Sequence, residues 1–147
     1  MKTWIKVLIV TVTVALPAMI LGPALWPPAE GGPQPTAGQL PFFILLAAME
    51  SVLLGLGVSF LIFGFPLTSR ISSGSKPLAW AMYLAIGWLL VSWWPHDNLH
   101  IHVGDDMQGL LYIEYGFHVT LMICGLIVAY GFLAFLREGL GKAASVR

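Results

Sequence analysis

Four long apolar stretches are the feature that most constrains how this chain can fold. They cover residues 4–26, 40–65, 78–94 and 109–136. At about 1.5 Å of rise per helical residue, even the shortest crosses most of a ~30 Å hydrocarbon core. Because 58% of the residues are hydrophobic and only 10% are charged, the composition excludes an ordinary soluble domain. We therefore predict an all-α integral membrane bundle of four transmembrane helices, embedded in the lipid bilayer as one domain over residues 1–147.

Turn-forming residues separate the four stretches. The segments 27–39 and 95–108 both begin with proline and are predicted as loops on one side of the membrane. Pro77 suits an early position in the third helix, where its missing N–H costs nothing. Asp105 resembles a helix N-cap with Gln108 as its partner three residues later, which predicts the start of the fourth helix.

The basic residues predict the orientation in the membrane. The two loops contain no Lys or Arg, whereas the termini and the middle connection carry all seven: Lys2, Lys6, Arg70, Lys76, Arg137, Lys142 and Arg147. By the positive-inside rule, both termini are cytoplasmic and both loops are exoplasmic. The sequence thus predicts a multi-pass protein of the cell membrane with its histidine-rich loop on the exoplasmic side.

The first stretch has a second interpretation as a cleavable signal peptide. Met1-Lys2 precedes an apolar run that ends near Gly22-Pro23-Ala24, a small-residue pattern typical of a cleavage site. The run is longer than the usual h-region of about 7–15 residues, which favours a membrane span. Cleavage would leave three spans in the same orientation.

Charge and cysteine content exclude several functions. The formal net charge is zero and no basic stripe is present, so a nucleic-acid partner is not expected. Cys124 is the single cysteine, which excludes an intramolecular disulfide and a multi-thiolate zinc site. No phosphate-binding loop, dinucleotide glycine motif or nucleophile elbow occurs.

All four histidines and most of the carboxylates gather near one end of the predicted bundle. Lipid penalises imidazoles and carboxylates, so their concentration there indicates a site. Imidazoles mixed with carboxylates suit Zn²⁺, Cu²⁺ or non-haem iron. We predict a transition metal ion (copper, zinc or iron) bound by residues drawn from His96, His100, His102, His118, Glu114, Asp97 and Glu50.

Spacing along the chain gives partial geometry for this site. His96 and His100 share a face if their segment is helical, whereas His100 and His102 do so if it is extended. Glu114 and His118 are four residues apart on the fourth helix and can touch. Glu50 and His118 both lie about 14 Å below the predicted rim, which predicts that they pair if their helices are neighbours.

Small side chains mark one face of the second helix. Ala47, Ser51, Gly55 and Ser59 recur every four residues and form a ridge that lets another helix approach closely. Glu50 lies beside this ridge, so we expect the acid to face a neighbouring helix. Ordinary close packing explains the ridge equally well.

Three functions remain open at this stage. The first is a metal-binding or redox centre, alone, in a homo-oligomer or with other membrane subunits. The second is a proton or cation pathway that uses Glu50, Glu114 and His118 as relay groups. The third is a metal-free structural or accessory subunit, in which the loop histidines are merely solvated and the buried polar groups fasten helices together.

Overall fold

The described part of the chain is entirely helical. The computed structural model describes residues 1–30, 34–72, 74–104 and 106–144, the last four of these by their backbone only. Within these ranges it contains six α-helices and no strand: α1 (Thr3–Leu25), α2 (Leu40–Phe63), α3 (Phe65–Ile71), α4 (Lys76–Val91), α5 (Trp93–Val103) and α6 (Met107–Ala144). The all-helical fold class is confirmed.

Three of these helices are long and apolar enough to cross a membrane. They are α1, α2 and the part of α6 from Met107 to Leu140. Helices α4 and α5 are long and apolar enough only when taken together, and they are bent by 41° at the break between them. The described residues therefore contain three candidate spans, or four if this pair is one broken span rather than a re-entrant loop. Large apolar side chains such as Ile20, Phe42 and Leu126 are more than two-thirds exposed, as expected for a surface that lipid covers. The length and composition of these helices are compatible with a membrane-embedded protein.

Proline and side-chain caps set the helix starts. Pro77 lies in the first turn of α4, as predicted, and the Ser75 hydroxyl accepts a hydrogen bond from the Leu78 N–H at 3.4 Å. At the start of α6, the Asp106 carboxylate accepts from the Gln108 N–H at 3.1 Å. The cap predicted at Asp105 lies outside the described residues.

The segment predicted as a second outer loop is largely helical. The sequence predicts a loop over 95–108, but residues 93–103 form α5. Pro95 lies in the first turn of α5, where a helix tolerates proline because that N–H has no intrahelical partner. The helix ends at Gly104, whose φ of +62° lies in the left-handed region that favours glycine.

The ridge of small side chains on α2 receives α1. The backbone of Thr11 lies so close to Gly55 that a Cβ at this position would clash with it. The hydroxyls of Thr11 and Ser59 are hydrogen-bonded at 3.0 Å, and the Ser59 hydroxyl also lies 3.1 Å from the Val7 carbonyl. The close helix approach expected from the sequence is present, and its partner is α1.

Helix α5 lies next to two long helices that carry acids, α2 with Glu50 and α6 with Glu114. It contacts both α2 and α6, and α4 contacts the same two helices. The loop after α1 also reaches α5, because the Ala29 N–H donates to the Ile101 carbonyl at 3.1 Å. The fold therefore brings side chains of α2, α5 and α6 to one end of the bundle.

Candidate metal centre

Three side chains converge where α5 meets α6. The His100 Nε2 atom lies 2.7 Å from Glu114 Oε1 and 3.2 Å from the His96 Nε2 atom. The third separation, from His96 Nε2 to Glu114 Oε1, is 3.9 Å. All three potential ligand atoms lie within 4.8 Å of one another. We call His96, His100 and Glu114 the His/Glu cluster.

Helical spacing explains why the two histidines meet. His96 and His100 are four residues apart on α5, so their rings lie on one face of that helix. Glu114 lies two turns into α6 and reaches across from the neighbouring helix. Of the two arrangements that the sequence leaves open, the helical one is therefore present.

The His/Glu cluster is partly shielded from its surroundings. The His96 side chain is 10% exposed, whereas those of His100 and Glu114 are 32% and 39% exposed. The ring of Phe117 stacks on the His96 imidazole with 3.7 Å between ring centroids. Phe117 has no polar atom, so ligand chemistry in the sequence does not indicate it. Its position one turn after Glu114 is the signal that places it on the same face of α6.

Asp97 holds the His96 ring from the opposite side. Its Oδ1 atom lies 3.1 Å from His96 Nδ1. A ring that donates its Nδ1–H to this carboxylate leaves the Nε2 lone pair directed at the other two cluster members. This carboxylate–imidazole arrangement is the one that orients histidine ligands in metal sites.

His118 contacts the other oxygen of the cluster carboxylate. Its Nδ1 atom lies 2.7 Å from Glu114 Oε2 and 3.0 Å from the Glu114 carbonyl oxygen. The contact between Glu114 and His118, expected from their spacing, is thus present. The His118 side chain is 58% exposed and lies at the edge of the cluster.

His102 lies apart from the His/Glu cluster. Its Nδ1 atom is 2.8 Å from the Pro27 carbonyl oxygen, and its ring meets Trp26 edge to face. The imidazole joins α5 to the loop that follows α1. His102 lies on the same helix as His96 and His100, so a substitution of His102 is a matched control for substitutions of those two residues.

The pair predicted between Glu50 and His118 is not formed. His118 contacts Glu114, whereas the carboxyl group of Glu50 lies beside that of Asp97. The two residues were placed at similar depth, but depth gives no information about which helix lies between them. Helix α5 contacts both α2 and α6 and presents Asp97 to Glu50.

The spacing of the His/Glu cluster fits a metal ion. Bonds of about 2.0–2.1 Å in a tetrahedral arrangement place neighbouring ligand atoms about 3.3 Å apart. The observed separations of 2.7, 3.2 and 3.9 Å lie on both sides of that distance. Small side-chain adjustments would therefore bring all three atoms into coordination.

The donor set has a defined chemistry. Two imidazoles and one carboxylate occur in catalytic zinc sites and in non-haem iron sites, and in both they leave coordination positions for water or substrate. Neither a family model, nor a curated protein, nor a solved structure matches this chain.

Proposed function

We propose that this chain is a membrane protein that binds a divalent transition metal through His96, His100 and Glu114. The observation that carries the proposal is the convergence of three ligand atoms from two helices within 4.8 Å. Asp97 and His118 contact the cluster from outside and orient His96 and Glu114. Zinc and iron fit the donor set directly, and copper accepts the same imidazole donors.

Metal analysis of the purified protein tests this proposal. Detergent-purified protein without a polyhistidine tag should bind one Zn²⁺ per chain in a chelator-competition titration. His100→Ala should weaken binding more than about a hundredfold, because losing a ligand exceeds the ~10–100-fold cost of losing an outer-shell partner. His102→Ala is the matched control and should bind as the wild type does. Equal affinity in wild type and a His96→Ala/His100→Ala double variant would exclude the centre.

The same titration has a defined pH dependence. Imidazoles bind metal only in their neutral form, and their unperturbed pKa is about 6.5. Metal affinity should therefore hold above neutral pH and fall as the pH drops below about 6. A flat profile from pH 8 to pH 5 would contradict histidine ligation.

We also propose four membrane crossings with both termini in the cytoplasm, counting α4 and α5 as one bent span. The distribution of Lys and Arg supports this orientation. In a Cys124→Ala background, a cysteine at Gln34 should react with an impermeant thiol reagent in intact cells. A cysteine at Ser69 should react only after the cells are opened. The reverse pattern would invert the topology and place the His/Glu cluster on the cytoplasmic side.

A proton or cation pathway is the second candidate function. The line of contacts that runs from Asp97 through His96, His100 and Glu114 to His118 supports it, since each neighbouring pair is within hydrogen-bond or ion-pair distance. Flux into vesicles should then disappear in Glu114→Gln whether or not metal is present. Absence of both flux and metal binding would leave the metal-free structural role.

A further inference from the structure

A second potential site adjoins the His/Glu cluster, because His96 and His100 also line it. A cavity of about 590 Å³ opens between α1, α2 and α5, a volume within the ~300–1,000 Å³ typical of small-molecule sites. Most of its wall is apolar and comes from α1 and α2, including Ala18, Met19, Phe43, Ile44 and Leu46. Its polar groups come mainly from α5.

One oxygen of a buried acid in this cavity has no hydrogen-bond partner among the described residues. Glu50 is only 6% exposed, and its Oε1 atom has no hydrogen-bond partner among the described residues. A buried polar atom without a partner costs free energy that a ligand able to donate a hydrogen bond would recover. The carboxyl group of Asp97 lies beside Glu50, so two acids line the same wall.

The charge of the wall decides what kind of ligand suits it. Among the described residues, no Lys or Arg lines the cavity, whereas Glu50 and Asp97 both do. Asp97 contacts the His96 imidazole, and His96 and His100 also line the cavity. With two acids and no Lys or Arg, the described wall still favours a cation and disfavours an anion. The rings of Trp94 and Phe43 also line the cavity, and aromatic faces attract organic cations.

We propose that this cavity binds a small hydrophobic amine whose ammonium group contacts Glu50 and Asp97 and whose apolar body fills the space between α1 and α2. The size of the cavity, its apolar wall, the unpartnered Glu50 oxygen and the absence of Lys and Arg from its described wall all point to this class. The inference does not require a metal, because neither Glu50 nor Asp97 belongs to the His/Glu cluster, although His96 and His100 also line the cavity.

Binding of a matched pair of probes tests the proposal. The full chain is placed in nanodiscs of phosphatidylcholine, and phenylbutylamine is compared with the uncharged phenylbutanol by equilibrium dialysis. The amine should bind at least about tenfold more tightly than the alcohol, because an ion-assisted hydrogen bond contributes that much. Glu50→Gln should abolish the preference, and Glu138→Gln, which removes an exposed acid on α6, should retain it.

A second variant keeps the test decisive if Glu50→Gln does not fold. Ala47 lines the cavity, and Ala47→Leu fills part of it while leaving both acids in place. This variant should lose amine binding at least tenfold and keep the wild-type Zn²⁺ affinity. Equal binding of the amine and the alcohol would overturn the proposal that the ligand is a cation. Amine binding unchanged in both variants would overturn the site and indicate partition into lipid.

Metal loading separates this inference from the proposed function. Amine binding should be the same in chelator-treated and Zn²⁺-loaded protein, and Glu50→Gln should bind Zn²⁺ normally. Amine binding seen only with Zn²⁺ would mean that the amine coordinates the metal, which would overturn the inference and support the metal centre. Amine binding without any Zn²⁺ affinity would support the inference and contradict the metal centre.

Discussion

The α1–α2 contact and the α5–α6 contact differ in the groups that form them. Gly55 and Ser59 let two backbones approach closely, and Ser59 is fully buried. Between α5 and α6, His100 and Glu114 meet through long polar side chains that remain about a third exposed. The first contact depends on the absence of side-chain volume, and the second depends on the chemistry of side chains.

This difference predicts which property each region controls. Close packing of backbones contributes to stability, because any added atom must displace a helix. Partly exposed ion pairs contribute little to stability, but their atoms are free to exchange one partner for a ligand. Variants in the α1–α2 contact should therefore change stability without changing metal affinity, and variants around the His/Glu cluster should do the reverse.

The largest expected effect is that of Gly55→Leu. Its side chain would meet the Thr11 backbone, which cannot move without α1, so we expect a loss of roughly 3 kcal/mol in unfolding free energy. Unfolding in a denaturing detergent titration measures it. Gly125→Leu on α6 is the control, because an added Cβ there meets no atom within 4 Å. Equal losses in the two variants would mean that the close helix approach is not what stabilises the bundle.

Asp97→Asn is expected to weaken Zn²⁺ binding by about 10–100-fold, because asparagine holds the His96 ring without a negative charge. Stability should change much less than in Gly55→Leu. The chelator-competition titration measures the affinity, and Glu30→Gln, which alters an exposed acid in the loop after α1, should bind as the wild type does. Wild-type affinity in Asp97→Asn would remove this carboxylate from the metal centre.

The smallest effect is expected from Thr11→Val. It removes the hydroxyl bonded to Ser59 at nearly constant volume, and Ser59 keeps its bond to the Val7 carbonyl. The unfolding free energy should fall by about 1 kcal/mol, with Zn²⁺ affinity unchanged. Thr13→Val alters an exposed position on the same helix and serves as the control. A change in metal affinity here would show that the two regions are coupled.

Much of the fold follows from the sequence because apolar length and small-residue spacing are local signals. The predicted first stretch, 4–26, and the observed α1, Thr3–Leu25, differ by one residue at each end. The ridge with Gly55 and Ser59 also predicted a close helix contact. Helix α5 was not predicted, since a short polar segment that contains Pro95 has the composition of a loop, and its helix depends on contacts with α2 and α6.

The site was predictable only where its residues share a helix. Spacing indicates the contact of Glu114 with His118 and the shared face of His96 and His100. Which helices are neighbours is a tertiary property, so the sequence could assign neither His100 to Glu114 nor Asp97 to Glu50. Distance along a helix gives depth in the membrane, and it gives no information about the direction in which the side chain points.

The 41° bend between α4 and α5 makes α5 a lever arm. His100 lies about 12 Å of helix beyond Ser92, so a change of ten degrees in the bend would move it by roughly 2 Å relative to Glu114. A metal ion bound by ligands from α5 and α6 would therefore hold this angle fixed. By reciprocity, any ligand or partner that alters the bend would also alter the affinity for the metal.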